Sequence, residues 1–226
     1  MRFGLKTKAT KPKFEVRTFD ERGLQAAAHA LGAVVLQDYR PNIVIGVRTG
    51  GYYFADLMME ALPVEAILLP ITCRRPSTAK KQRFGMVKGA LMALPHPVTD
   101  CLRVIEHKML TEMREARPLT DYTADSEEMA QIEHLLTLRG AESRILVVDD
   151  AVDSGATLQA VCTTLRALLP QDALLKTAAL TVTTSEPLIE PDYRLYRHVL
   201  CRFPWSLDFR AAAGRDLRSG QHGAVS

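Results

Sequence analysis

Residues Arg144–Thr157 read RILVVDDAVDSGAT. A run of apolar β-formers, Ile145–Val148, leads straight into Asp149 and Asp150, then a third acid and a tract of small and hydroxyl residues. The apolar run predicts a buried strand over Arg144–Asp150. Helical spacing over Thr157–Leu169, closed by Pro170, predicts a helix after the loop. In open α/β sheets ligands bind at the carboxyl ends of the strands, where this acid pair falls. Two ionised carboxylates offer lone pairs and no donors. Their natural partners are the vicinal hydroxyls of a sugar or a hard divalent cation. In the DSGAT segment the small residues let backbone approach a ligand, and Ser154 and Thr157 add hydroxyls. The start of the following helix presents free N–H groups to an anion. One loop thus joins a diol-binding pair to a monophosphate cradle, the partners of a ribose 5-phosphate. The GxxxxGK[ST] pattern of a P-loop is absent.

On the N-terminal side, helical spacing at Leu24, Ala27, Ala28, Leu31, Val34 and Val35 predicts a helix over Asp20–Asp38 with Asp20 as its cap. PNIVIGV (Pro41–Val47) reads as a buried strand. RTGG breaks it, and Tyr52–Leu62 resumes helical spacing. Val64–Ile71 is the next strand, so β-turn-α-β with parallel strands and a right-handed crossover is expected. Thr72–Arg83 is polar, basic and proline-containing and is expected as an exposed loop. Thr99–Arg117 and Ser126–Gly140 have helical spacing, the second with acids in its first turn and glycine past its end. Leu174–Val182 is a further strand, followed by shorter pieces at Arg197–Phe203 and WSLDF.

The 226 residues suffice for one large α/β domain with an insertion. Hydrophobic residues make up 47% and charged residues 24%, the balance of an ordinary globular chain rather than a disordered one. A net charge of +3 is too mild to call for nucleic acid. No apolar run approaches the roughly 18 residues of a membrane span. The N-terminal MRFGLKTKATKPK is basic without an apolar core, so it reads as a frayed tail and not a secretory signal. Cys73, Cys101, Cys162 and Cys201 are far apart and form no CxxC. They fit small core residues in a reducing cytoplasm, not a zinc site or a disulfide framework. Glu106 and His107 make no HExxH pattern and read as an ion pair rather than metal ligands.

At every defining position, VVDDAVDSGAT resembles the phosphoribosyl-pyrophosphate (PRPP) signature of type I phosphoribosyltransferases. A second stretch, IVIGVRTGGYYFADLMMEAL (Ile43–Leu62), resembles the pyrophosphate loop and following helix of that family, nearest to hypoxanthine-guanine members. There Gly50 and Gly51 allow positive φ and close backbone approach, and Arg48 supplies a fixed positive charge. A third, RFPWSLD (Arg202–Asp208), resembles the C-terminal hood segment of purine-type members, with Trp205 as the ring that stacks on the base. On its own, a lone tryptophan is as readily a core residue.

The resemblance implies an open, mostly parallel twisted α/β sheet with flanking helices, a hood and a helical insertion. It implies one domain over 1–226, with a mobile loop and helical insertion at 72–140 and a hood segment at 183–226. The implied reaction moves ribose 5-phosphate from PRPP to a nitrogenous, purine-like base and releases pyrophosphate, with Mg²⁺. Asp149 and Asp150 would hold the ribose hydroxyls and the metal. Asp153, Ser154, Gly155, Ala156 and Thr157 would hold the 5-phosphate, with Asp153 also the general acid/base beside the base. Pyrophosphate would meet Arg48, Thr49, Gly50 and Gly51, and also Arg74, Arg75, Lys80 and Lys81 of a mobile lid; as an exposed solvated loop the lid residues have an equally plain reading. The family also leads to expect a cis peptide at Arg48–Thr49, a homodimer and a cytoplasmic enzyme. Where purine members carry a base-reading lysine this chain has Thr183 in LTVTTSE, which leaves the acceptor base open. The alternative is a PRPP- or nucleotide-binding regulatory or effector subunit on the same fold.

Overall fold

The computed structural model describes residues 14–74, 98–100, 102–105, 123–170, 172–206 and 209. Five parallel strands form the central sheet in the order β3-β2-β6-β7-β8. These are β2 (Ile43–Val47), β3 (Ile67–Ile71), β6 (Arg144–Val152), β7 (Leu174–Val182) and β8 (Tyr193–Arg197). Such a sheet must be covered on both faces, and the two-residue period of the strands sorts the core accordingly. Val44, Leu146 and Val148 face helices α1 (Glu21–Val35) and α2 (Gly50–Met59). Ile43, Ile45, Ile145 and Val147 face α3 (Ser126–Arg139) and α4 (Ala156–Leu168). Pro70 sits in β3, an edge strand, where its missing N–H costs no ladder bond.

The chain runs from β2 outward to β3 on one side and from β6 outward to β7 and β8 on the other. Between β2 and β6 the order reverses, which is where a doubly wound sheet opens a crevice. The register makes that opening concrete. The β2–β6 ladder ends at Gly46↔Val148, while β6 stays paired to β7 through Val152↔Val182. Asp149 and Asp150 therefore lie on a strand that has lost its β2 neighbour.

Several elements depart from the sequence expectation. β6 ends at Val152, not Asp150, because β7 goes on pairing past the acids. β3 begins at Ile67, since a turn with Ala66 N–H donating to the Pro63 carbonyl uses the residues before it. β1 (Glu15–Thr18) was not foreseen and pairs in parallel with β9 (Val199–Arg202), a long-range partner invisible from its own composition. The piece expected at Arg197–Phe203 is two strands, β8 and β9, broken at His198 with φ 59°. β4 (Cys73–Arg74) pairs antiparallel with β5 (Thr123–Ala124), and Asp125 N–H donates to the Thr72 carbonyl. The chain after β3 thus returns to the point it left. Of the helix expected at Thr99–Arg117, residues 98–100 and 102–105 are helical, and its remainder lies outside the described residues. No described helix is long and apolar enough to cross a membrane. Cys162 and Cys201 are buried, with thiols pushed by burial to about 11 and about 12, so they are inert core residues.

Candidate functional site

Two described helices start at the crevice; at α4 Ser154 Oγ accepts from the Ala156 N–H at 3.4 Å, and neither N-cap residue itself makes a side-chain bond. Thr49 at the start of α2 makes no side-chain cap bond, nor does Gly155 at the start of α4. The other two long helices are capped in the ordinary way. Asp20 accepts from Gly23 N–H at 2.7 Å, and Asp125 accepts from Glu127 N–H at 3.1 Å and Glu128 N–H at 3.3 Å. The first N–H groups of a helix need partners. Among the described residues, the N-cap residues of the two helices at the crevice leave most first-turn N–H groups without side-chain partners, which suits an anionic ligand there.

The α4 loop borders a cavity of about 300 Å³, at the small end of ligand sites. Asp149, Asp153, Ser154, Gly155, Ala156 and Thr157 line it, as does Cys73. Gly155 holds φ +77°, and a Cβ there would come within 3.0–3.2 Å of backbone atoms of Leu188 and Ile189. Leu188 N–H donates to the Ser154 carbonyl at 2.8 Å, so the β7–β8 connection braces the loop from behind. Glycine is the residue that satisfies both demands.

The α2 loop approaches the acids so closely that only glycine fits. A Cβ on Gly50 would overlap the Asp150 carboxylate, and one on Gly51 would lie 2.8 Å from Asp149 Cα and from the Val148 carbonyl oxygen. The expected positive φ at these two residues is not found; close approach alone requires them. The Arg48–Thr49 peptide is cis, as the resemblance implied.

The two acid side chains stay in contact with each other, but they border different groups. Asp149 lines the cavity, whereas Asp150 does not and lies against Gly50. Asp149 also accepts from the Asp150 N–H at 2.9 Å. Burial, then the Asp150 charge, pushes the Asp149 carboxyl well above its ordinary value; burial also raises Asp150. Among the described residues no basic side chain pairs with either. A buried pair of this kind fits a divalent cation, whose charge would reverse both shifts. Among the described residues no group of three or more His, Cys, Asp or Glu forms a cage. A Mg²⁺ held here would therefore share its ligands with a bound phosphate or water.

Asp153 accepts from the buried Thr183 hydroxyl at 2.7 Å. Thr183, which the sequence marked only as a departure, thus orients the acid proposed to touch the base. Trp205 stacks on Phe203 at 4.7 Å and meets Tyr53 of α2 edge-on at 5.2 Å; it does not line the cavity. Arg48 ion-pairs with Glu128 through Nε at 3.0 Å. Glu128 had no local signal beyond the acidic first turn of a helix. Arg74 lies in β4; Arg75, Lys80 and Lys81 fall outside the described residues, as do Cys101, Glu106 and His107.

Comparison with known proteins agrees with this geometry. The family described as "Phosphoribosyl transferase domain" matches residues 18–208. No curated protein sequence matches the chain. Among solved structures, a purine phosphoribosyltransferase from Pyrococcus horikoshii Ot3 is similar with TM-score 0.53 and 18% identity, over 88% of this chain and 98% of that one. A Helicobacter pylori xanthine-guanine-hypoxanthine phosphoribosyltransferase gives 0.52 and 16%, over 86% and 96%. A hypothetical protein from Neisseria gonorrhoeae with bound ppGpp gives 0.53 and 13%, over 86% and 91%. At these identities the likeness establishes the fold.

Proposed function

The chain belongs to the phosphoribosyl transferase domain family, and on that premise we propose that it transfers ribose 5-phosphate from PRPP to a purine-like base, with Mg²⁺. The observation that carries this reading is the buried aspartate pair at the open end of β6, pressed by Gly50 and Gly51 at the start of α2 on one side and continued by the cavity-lining Asp153–Thr157 loop at the start of α4 on the other. A 5-phosphate and a pyrophosphate joined through a ribose have the charges and the diol to fill such a crevice.

In this reading the α4 amides, Ser154 and Thr157 take the 5-phosphate, and Asp149 takes a ribose hydroxyl from the cavity side. Asp150, against Gly50, lies on the pyrophosphate side and holds the metal with Asp149. Bound Mg²⁺ would supply charge neutralisation at the leaving pyrophosphate. The Arg48 guanidinium and the amides of Thr49, Gly50 and Gly51 stabilise the same developing charge. The bond from C1 of the ribose to the pyrophosphate oxygen breaks, and a bond from C1 to a ring nitrogen of the base forms. Asp153, oriented by Thr183, takes the proton that the base nitrogen gives up. Trp205 and its neighbour Tyr53 offer an aromatic ledge for a flat acceptor, and Arg74, Arg75, Lys80 and Lys81 close over the pyrophosphate.

The test is pyrophosphate release from PRPP and Mg²⁺ with a panel of purine and other heterocyclic bases. Release with at least one base is expected. PRPP binding seen by calorimetry without release from any base would instead make the chain a PRPP-binding regulatory subunit. Asp149→Asn combined with Asp150→Asn should abolish binding, and unchanged affinity would refute the assignment of the acid pair.

A further inference from the structure

We propose that Glu128 is a positioning residue for Arg48, fixing the guanidinium that meets pyrophosphate; this rests on the reading of the Arg48–Gly51 loop given above. Glu128 stands in the first turn of α3, remote in sequence from both ligand loops, and its side chain is 14% exposed. Arg48 and Thr72 converge on it. Its Oε1 ion-pairs with Arg48 Nε at 3.0 Å and accepts from Thr72 Oγ1 at 3.1 Å, and its Oε2 accepts from the Thr72 N–H.

The carboxylate is itself anchored. Thr72 directly follows β3, Asp125 N–H donates to the Thr72 carbonyl, and Asp125 caps α3 at Glu127 and Glu128. Arg48 N–H donates to the Ile71 carbonyl at 2.9 Å, so its backbone is tied to the same strand end. The Arg48 side chain is about half exposed, and among the described residues Glu128 is its one ion-pair partner, with the Tyr52 ring 5.5 Å from Cζ. A guanidinium carries five N–H groups in a rigid planar fork. An ion pair at the Nε edge restrains the fork and leaves the two terminal NH₂ groups for an oxyanion, the geometry that bidentate phosphate binding uses. A long, half-exposed side chain without that hold would have to be ordered each time ligand bound.

The rival role for a carboxylate here is a competing anion that pyrophosphate must displace, and the two roles differ in sign. The probe is pyrophosphate with magnesium chloride, read by calorimetry on the full chain, so turnover is not required. Glu128→Ala should weaken pyrophosphate about three- to tenfold, the effect of leaving one long side chain to be ordered on binding. In an Arg48→Lys background, which keeps a charge but has no Nε–H to hold, Glu128→Ala should have no further effect. Thr72→Val removes one bond to the same carboxylate but leaves the Arg48 pair, and should stay within about twofold of wild type. If Glu128→Ala is unfolded by circular dichroism, Glu128→Gln replaces it with the same expectations, since it keeps the length but loses the charge. Tighter binding, unchanged binding, or equal weakening in both backgrounds would overturn the positioning role alone. Failure of the wild-type chain to bind pyrophosphate would overturn the loop assignment beneath it.

Discussion

In the proposed reaction Asp149 holds the ribose and the metal, and its energetics can be tested without substrate. Burial and the neighbouring Asp150 raise its carboxyl well above the ordinary 3.8. The folded protein then holds this proton more tightly than the unfolded chain does. As pH climbs from about 3.8 toward the folded value, the unfolded chain binds fewer protons than the native one, so this group's contribution to stability falls. Asp149→Asn cannot ionise and removes that loss. It should raise the melting temperature of the ligand-free protein at pH 7, with the gain shrinking toward pH 4, while PRPP binding is lost. An equal gain at both pH values would show that the carboxyl is not buried as charge. Gly51 makes a steric prediction. A Cβ there meets backbone at 2.8 Å on two sides, so no side chain can swing away to admit it. Gly51→Ala should cost about 1–3 kcal/mol in chemical denaturation and weaken pyrophosphate binding, because α2 must back off from β6. Wild-type stability and affinity together would show that the approach is looser than described.

Among the elements, helix starts divide by task. Asp20→Ala removes the cap of α1, which does not line the cavity, and should cost about 1 kcal/mol of stability with PRPP affinity unchanged; a change in affinity would show that α1 is coupled to the site. Strand β9 is held differently. Arg202 is 1% exposed, and it donates to Thr18 of β1, to Thr99 and to Asp100 at 2.5 Å. One side chain thus ties β9 to β1 and to the helical residues 98–105, with Arg103 donating to the Cys201 carbonyl beside it. Removing one member of a buried ion pair is costly, so Arg202→Ala should lose about 3–5 kcal/mol in denaturant titration, whereas Arg202→Met, which refills the volume, should lose less. Equal losses would put the effect in packing rather than charge. The stacked Phe203 and Trp205 follow immediately, so the same lesion should also disturb the aromatic ledge.

For the chain as a unit, the α2 and α4 loops start helices on opposite faces of the sheet, with the Arg48–Glu128 pair reaching across. The α2 loop sits on the face that α1 covers, and the α4 loop on the face that α3 covers. A ligand reaching both would bind the native fold alone. At about 100 times its dissociation constant it would add about 2.7 kcal/mol. For a chain of this size that raises the melting temperature by roughly 5–10 °C. PRPP with Mg²⁺ should give a shift of this order, and ribose 5-phosphate, which fills one cradle, a smaller one. Equal shifts from the two ligands would mean that only the α4 loop is used.

Much of this was readable in the chain itself. The strand read over Arg144–Asp150, the acids at the end of that reading, the small residues of DSGAT and the GG of the other loop are local patterns, each set by a short-range physical demand. Composition and period sufficed for an α/β sheet because alternating and helical spacing act within a few residues. Folding decided what depends on partners far away in sequence. The strand order put β2 beside β6 and opened the crevice between them. Folding set Asp149 at the cavity and Gly51, and Asp150 against Gly50, so the α2 loop closes on both acids. β1 became a strand only because β9 arrives beside it. Glu128, an ordinary first-turn acid by composition, reached Arg48 because the chain after β3 returns to its own base through β4 and β5. Local sequence sets which backbone and which charges are present; long-range pairing sets which of them meet, because a contact across 80 residues leaves no period to read.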